Sequence, residues 1–244
     1  FQHDAVLVAV DILVRTPDGW HAYEVKSSGS VKDEYIQDMA LQVHVMEGAG
    51  LYLTDVSIVH LNTAYVRQGD IDVHELFCIT SVRAAVEAER RDIPRRIEAL
   101  KSVLAKGDDP EVAIGPQCEE PFTCDFKDHC WAHVHSERSV FKLARGGKRS
   151  WDLYAQGILK MEDIPEDEKL TATQQMQVDG WKRGTTVIDR PRIAEFVQSL
   201  KYPLYHFDFE TFSAAVPIYD ATRPYQQKPG RVSLHIQAAP GAAP

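Results

Sequence analysis

Asp11 precedes Glu24 by thirteen residues, and Val25 and Lys26 follow at once, within VDILVRTPDGWHAYEVKSS. Two carboxylates and one ammonium around a common point are the equipment of a Mg²⁺- or Mn²⁺-dependent phosphodiesterase. In that chemistry Asp11, Glu24 and the Val25 carbonyl hold a hard cation, and Lys26 orients the attacking water or stabilises phosphate charge. A second acidic pair, Asp208 and Glu210, lies in YPLYHFDFETF. Paired acids on a strand bounded by apolar residues are costly to bury together unless they bind a cation, so this pair is a second candidate metal site.

The elements that must carry these groups follow from local pattern. Pro17-Asp18-Gly19 between two β-rich runs has the chemistry of a tight turn and predicts a hairpin. Side chains alternate along a strand, so Glu24 and Lys26 share a face, Val25 is expected to point into the core, and Asp208 and Glu210 emerge together. The segment after Lys26 predicts a helix with an apolar face of Ile36, Met39, Ala40, Val43 and Met46, ending at Gly48 and Gly50. LYLTDVSIVHLNTAYVRQGD reads as strand material, and the charged stretch 79–106 as a helix interrupted near Pro94. DRPRIAEFVQSLKYP predicts a helix opened by Pro191 with an apolar face at Ile193, Phe196, Val197 and Leu200.

Composition narrows the class. The chain has 244 residues, 44% of them hydrophobic and 26% charged, with a net charge of −9. That balance suits a globular protein and argues against nonspecific coating of nucleic acid, which calls for a basic excess. A nuclease is compatible with it, because local patches and metals do the binding. One such patch is Lys142, Arg145, Lys148 and Arg149 beside Trp151 and Tyr154, for which a solvated helix face is the first reading and nucleic-acid contact the second. No run is long enough to span a bilayer and no signal peptide is present, so no membrane partner is expected. Phe1 and the terminal Ala-Ala-Pro-Gly-Ala-Ala-Pro read as cut ends.

Three of the four cysteines fall in GPQCEEPFTCDFKDHCW: Cys118, Cys124 and Cys130. In a cytoplasmic protein such a group predicts metal binding over disulfides. Three thiolates call for a fourth ligand around Zn²⁺ or an iron–sulfur cluster. His129, His133 and His135 lie close enough in sequence to complete a zinc site, whereas Cys78, in ELFCITS, reads as a buried strand cysteine.

The ExK strand after a hairpin, a Gln-rich helix and a late triplet ending in CDFKDHC together resemble the iron–sulfur RecB-like exonucleases of the PD-(D/E)XK superfamily, the group that includes the CRISPR-adaptation nucleases. The resemblance implies a [4Fe–4S] cluster in which Cys118, Cys124 and Cys130 are the late ligands. The early cysteine has no counterpart here. It also implies a catalytic histidine upstream of the first strand, a place that His3 does not fit. A Gln facing the site is implied as well, here Gln42 or Gln37, although the Tyr that usually follows it is missing. The D-x-E-T string from Asp208 to Thr211 resembles the first motif of DEDD-type exonucleases of the RNase H-like fold, whose acids hold two metals. Taken in order, about residues 1–135 and 200–236 resemble an uncharacterised bacterial family with two nuclease-like domains.

The expectation is therefore an α/β protein: a PD-(D/E)XK restriction-endonuclease-like core with a mixed sheet and flanking helices over 1–135, a helical connector over 136–200, and an N-terminal fragment of an RNase H-like domain over 201–244. The expected activity is metal-dependent hydrolysis of phosphodiester bonds, as an exonuclease on DNA ends in DNA repair or defence and with DNA preferred to RNA, by Asp11, Glu24, Lys26 and Gln42, with Asp208 and Glu210 in a second site. Two alternatives stand beside it: a nucleic-acid-binding or scaffold protein that does not cleave, and a zinc-stabilised interaction module whose acids are surface residues.

Overall fold

The computed structural model describes residues 1–134 and 136–243. The chain forms two compact units, one of Phe1–Asp108 with Tyr202–Pro244 and one of Asp109–Lys201. The expected boundaries at 135/136 and 200/201 group residues differently: the cysteine triplet falls in the middle unit, and the Asp208 strand falls in the same unit as the Glu24 strand.

The first unit is mixed α/β. A short ribbon of β1 (Gln2–His3) and β2 (Val6–Leu7) leads into the predicted hairpin of β3 (Ile12–Thr16) and β4 (Gly19–Val25). Thr16 pairs with Gly19, so Pro17 and Asp18 alone make the turn. Gly19 is demanded there: its φ is +149°, and a Cβ would stand 2.6 Å from the Tyr52 carbonyl oxygen. That oxygen accepts the Trp20 N–H at 2.9 Å, which fixes the approach. Helix α1 (Asp33–Gly48) then crosses over to β5 (Leu53–Leu61), which runs parallel to β4. A one-turn helix, α2 (Val73–Leu76), is capped by the Asp72 side chain and feeds β6 (Phe77–Ser81), antiparallel to β5. The four-stranded sheet has the order β3-β4-β5-β6.

The helical period of α1 meets the two-residue period of the sheet on one face. Met39, Ala40, Val43 and Met46 are fully buried, as are Ala22, Val56 and Ile58 in the same cluster. Each large side chain so buried contributes about 1.5–3 kcal/mol. The cluster is completed by Val86 of α3 (Arg83–Glu89) and by Ile93 and Ile97 of α4 (Ile93–Lys106). Pro94 sits in the first turn of α4, where its missing N–H costs nothing, so it starts that helix after a 3₁₀ turn at Arg90–Asp92.

Val25 corrects one expectation. The helix-covered face of β4 carries Ala22 and Glu24, so Val25 points the other way and is 43% exposed. The same opposite face carries a group of hydrogen-bonded polar side chains. His21 Nε2 is 3.0 Å from Ser57 Oγ, the Tyr23 hydroxyl 3.0 Å from His21 Nδ1, and Ser81 Oγ donates to Asp55 Oδ1 at 2.7 Å. These mutual bonds account for a buried Ser57, since a buried hydroxyl is tolerated once it is hydrogen-bonded.

A third sheet of the unit is the antiparallel ribbon of β7 (Leu204–Phe212) and β8 (Lys228–Gln237). The register places Tyr205, Phe207 and Phe209 with Ile236, Leu234 and Val232 on one face, all exposed, and Asp208 and Glu210 with Ser233 and Arg231 on the other.

The second unit is helical: α5 (Lys127–Cys130), α6 (Lys148–Ala155), α7 (Ala172–Arg183) and α8 (Arg190–Ser199). Residues 136–200, expected as a connector, contain a core of their own, with Val140, Leu143, Leu153, Met161, Ile164 and Val178 buried together. A capping box of Thr171 and Gln174 starts α7. Helix α8 begins at Arg190 with Pro191 in its first turn, yet its apolar residues Ile193, Phe196 and Val197 are exposed. Among the described residues no helix is long and apolar enough to cross a membrane.

Candidate active site

The end of β4 and the middle of α1 meet at a cluster of charged and polar side chains. Glu24, 8% exposed, is held on the helix side of the sheet by its alternation with Ala22. Lys26 lies two residues on and bends its ammonium back to Glu24 Oε1 at 2.7 Å. The same nitrogen reaches Asp38 Oδ2 at 2.7 Å and lies 5.4 Å from the centre of the Tyr35 ring. Gln42, one helical turn beyond Asp38, is 5% exposed and donates through Nε2 to Glu24 Oε2 at 3.0 Å and to Asp38 Oδ1 at 3.5 Å. Burial pulls the Lys26 pKa down, but the bonds to Asp38 and Glu24 outweigh it and hold the pKa above the ordinary lysine value.

Of the expected residues, Glu24, Lys26 and Gln42 therefore converge, and Gln37 is turned to solvent. Asp11 sits across the hairpin and accepts the Val25 N–H through Oδ2 at 2.8 Å, so it grips the main chain between Glu24 and Lys26. Asp38 and Tyr35 were not anticipated as site residues. The signal was present, because Tyr35, Asp38 and Gln42 lie at spacings of three and four and so form one stripe of a helix. His3 packs edge-on against His44 of α1, with ring centres 5.5 Å apart. Burial and, secondarily, the charge of His3 lower the His44 pKa.

One atom in this cluster is unsatisfied. Gln42 Oε1 is buried and, among the described residues, has no hydrogen-bond partner. A buried amide oxygen without a donor carries a desolvation penalty of about 1–3 kcal/mol, which a cation or its bound water would relieve. The hard oxygen donors of Asp11, Glu24 and the Val25 carbonyl also suit Mg²⁺ or Mn²⁺, which keep several waters and need only one or two carboxylates.

Asp208 and Glu210 leave the ribbon on one face, as alternation requires. Both are exposed, so the burial argument for a cation between them does not apply. Arg231, the register partner of Glu210, and Ser233, that of Asp208, line a depression of about 250 Å³ with the two acids. Gln226 Oε1 accepts the Arg223 N–H at 3.1 Å, shaping the turn before β8.

Cys118 is buried, Cys130 half-buried and Cys124 exposed; all are free thiols, as is the half-buried Cys78 of β6. The loop brings two of them together by backbone: the Cys124 N–H donates to the Cys118 carbonyl at 2.9 Å, and the Lys127 N–H donates to the Cys124 carbonyl at 3.0 Å. Among the described residues no three His, Cys, Asp or Glu side chains are arranged as they would be around a metal. His133 has both ring nitrogens engaged, Nδ1 with the Cys130 carbonyl and Nε2 with the Tyr154 hydroxyl, each at 3.1 Å. His129 is 3.2 Å from Asp109, and His135 lies outside the described residues. In the expected basic patch, Lys148 pairs with Asp152 and Arg149 with Glu168, so half of its charge is neutralised within the unit.

Residues 205–243 match the family described as a domain of unknown function (DUF2779). That match covers β7 from its second residue, β8 and the connection between them. Comparison with curated proteins and with solved structures finds no match to this chain.

Proposed function

We propose that the chain is a metal-dependent nuclease that hydrolyses phosphodiester bonds in DNA, with Glu24 and Lys26 at its centre. The observation that carries this reading is the Lys26 ammonium, held 2.7 Å from both Glu24 and Asp38 beside a buried Gln42 whose carbonyl oxygen has no donor among the described residues. An ordinary surface ion pair does not recruit a buried amide, and exposed pairs contribute little.

Asp11, Glu24 and the Val25 carbonyl would hold a divalent cation, which supplies Lewis acidity and a lowered pKa for its water. The chain's own residues do the rest. Asp11 fixes the Val25 peptide and so the direction of its carbonyl. Gln42 orients the Glu24 carboxylate through Oε2. Lys26, kept charged by its two carboxylates, places a positive charge where a phosphate's non-bridging oxygens gain negative charge. Asp38 gives the ammonium a second anchor that does not depend on Glu24. The exposed pair Asp208 and Glu210 is proposed as a second acidic centre, and Cys118, Cys124 and Cys130 as ligands of a [4Fe–4S] cluster or Zn²⁺; no step of hydrolysis runs through the latter.

The test is Mn²⁺-dependent degradation of end-labelled single- and double-stranded DNA by the wild-type chain, Glu24→Ala and Lys26→Ala. Loss of at least about 100-fold in both variants, with circular dichroism unchanged, is expected for groups that act on transition-state charge. Variants that cut at the wild-type rate would place the chemistry elsewhere.

A further inference from the structure

The connection between β7 and β8, residues 213–227, is fastened to the sheet that carries Lys26. Arg67, in the loop after β5, donates through Nη1 to the carbonyls of Pro217 at 3.0 Å and Ile218 at 2.7 Å. Its Nε donates to the Gly69 carbonyl at 2.8 Å and lies 3.7 Å from Asp220, whose carboxylate accepts the Gly69 N–H at 2.9 Å. The main chains are joined as well: the Arg67 N–H donates to the Thr222 carbonyl at 3.0 Å, and the Ala221 N–H to the Arg67 carbonyl at 2.8 Å. About 150 residues of sequence separate the two sides, so these bonds are not a by-product of local folding; closing a loop that long has its own entropic cost.

Two residues of this connection adopt left-handed backbone without being glycine, Ala221 at φ +57° and Tyr225 at φ +58°. Such conformations cost about 1–2 kcal/mol per residue and persist only where surrounding contacts impose them. At Tyr225 the strain is tied to a contact. The Tyr225 N–H donates to the Ala214 carbonyl at 2.8 Å, and its hydroxyl donates to the Ser27 carbonyl at 2.6 Å. Ser27 follows Lys26 directly. The Lys26 N–H bonds the Val59 carbonyl at 2.9 Å, the Ser28 N–H bonds the Lys26 carbonyl at 2.8 Å, and the Leu61 N–H bonds the Ser28 carbonyl at 2.8 Å. Tyr225 thus holds the Ser27–Ser28 peptide, inside the turn that follows the last rung of β4.

We infer that Tyr225, carried on a strap that Arg67 and Asp220 anchor, is a positioning residue for Lys26, so the segment between β7 and β8 belongs to the working parts of the Glu24–Lys26 site. This rests on the nuclease reading of Lys26 and extends it: cleavage at the first acidic centre depends on a segment that lies between the strands of the second. An ammonium that must meet a phosphate oxygen tolerates little displacement, because errors near 1 Å in a reacting group lower rates by up to about 100-fold.

The experiment uses the full chain with Tyr225→Phe, which removes one hydroxyl, and Arg67→Ala, which releases the strap. Amide hydrogen exchange over residues 26–30 and at Leu61 is read alongside kcat and KM for Mn²⁺-dependent DNA cleavage. Exchange at residues 26–30 is expected to speed by about two- to tenfold in Tyr225→Phe, the range for one lost hydrogen bond. kcat should fall several-fold with KM unchanged, and Arg67→Ala should shift both further in the same direction. Wild-type exchange and wild-type kcat in Tyr225→Phe would overturn the proposal while leaving the nuclease reading intact. A wild-type chain that cuts no DNA would overturn both, and is recognised without reference to either variant.

Discussion

Replacing Lys26 by Met isolates the electrostatics of the site, because it keeps the aliphatic stem and removes only the ammonium. Glu24 Oε1 and Asp38 Oδ2 each lie 2.7 Å from that nitrogen, so they stand no more than about 5.4 Å apart, a repulsion of about 3 kcal/mol at an effective dielectric of about 20 and below about 1 kcal/mol in bulk water. The Glu24 side chain is 10% exposed and that of Asp38 41%, so screening brings the expected loss of stability to about 1–2 kcal/mol. The variant should therefore melt earlier than wild type in EDTA. Divalent cations should reverse the order of effects, since Met no longer competes for Glu24. At a Mn²⁺ concentration of about 100 times Kd the stabilisation is about 2.7 kcal/mol, and Kd should be lower in the variant than in wild type. Calorimetry in EDTA and in a Mn²⁺ series, with the Mn²⁺-sensitive transition assigned to the unit containing β4, measures both terms. A variant as stable as wild type in EDTA, with a Mn²⁺ response no larger, would show that the two carboxylates do not share one electrostatic site, and the assignment of Asp38 would fall with it.

Three further outcomes are expected. Serine at Cys118, Cys124 or Cys130 should lower the iron or zinc content of purified protein, read by elemental analysis and by absorbance near about 400 nm for a cluster; equal metal content in all three variants would remove the ligand assignment. Gly19→Ala should destabilise the first unit by more than about 1 kcal/mol, because φ is +149° and the new Cβ meets the Tyr52 carbonyl at 2.6 Å, and an unchanged melting temperature would contradict the turn. The Asp92 carboxyl, bonded by Arg95 and then Arg96 at the start of α4, has its pKa lowered to about 2 from 3.8. A depressed folded-state value contributes stability above pH 3.8 that is lost as pH falls through about 2. Carboxyl ¹³C shifts of Asp92 followed from pH 5 to 1.5 should show that midpoint, and an ordinary aspartate midpoint would refute the pairing.

Local rules made much of the first unit legible in one dimension. Pro17-Asp18-Gly19 announced a hairpin because turn chemistry is carried by adjacent residues. Met39, Ala40, Val43 and Met46 announced a helix because their spacing matches its period. Glu24 and Lys26 were bound to share a face because strands alternate, and the same alternation put Asp208 beside Glu210. What alternation cannot state is which face a neighbour covers. Helix α1 lies on the side of Glu24, so the acid is buried and Val25 is left at 43% exposure, the reverse of the expected order. The azimuth of α1 chose Gln42 over Gln37 and brought Asp38 to Lys26, and that azimuth is set by packing against Ala22, Val56 and Ile58. The Arg67–Asp220 clasp and the bond from Tyr225 to Ser27 join segments about 150 and about 200 residues apart, beyond the reach of any periodic pattern. The chemistry of the site was therefore written in residue types and short spacings, whereas its neighbours, its burial and its attachment to the β7–β8 strap came into being only when the chain closed on itself.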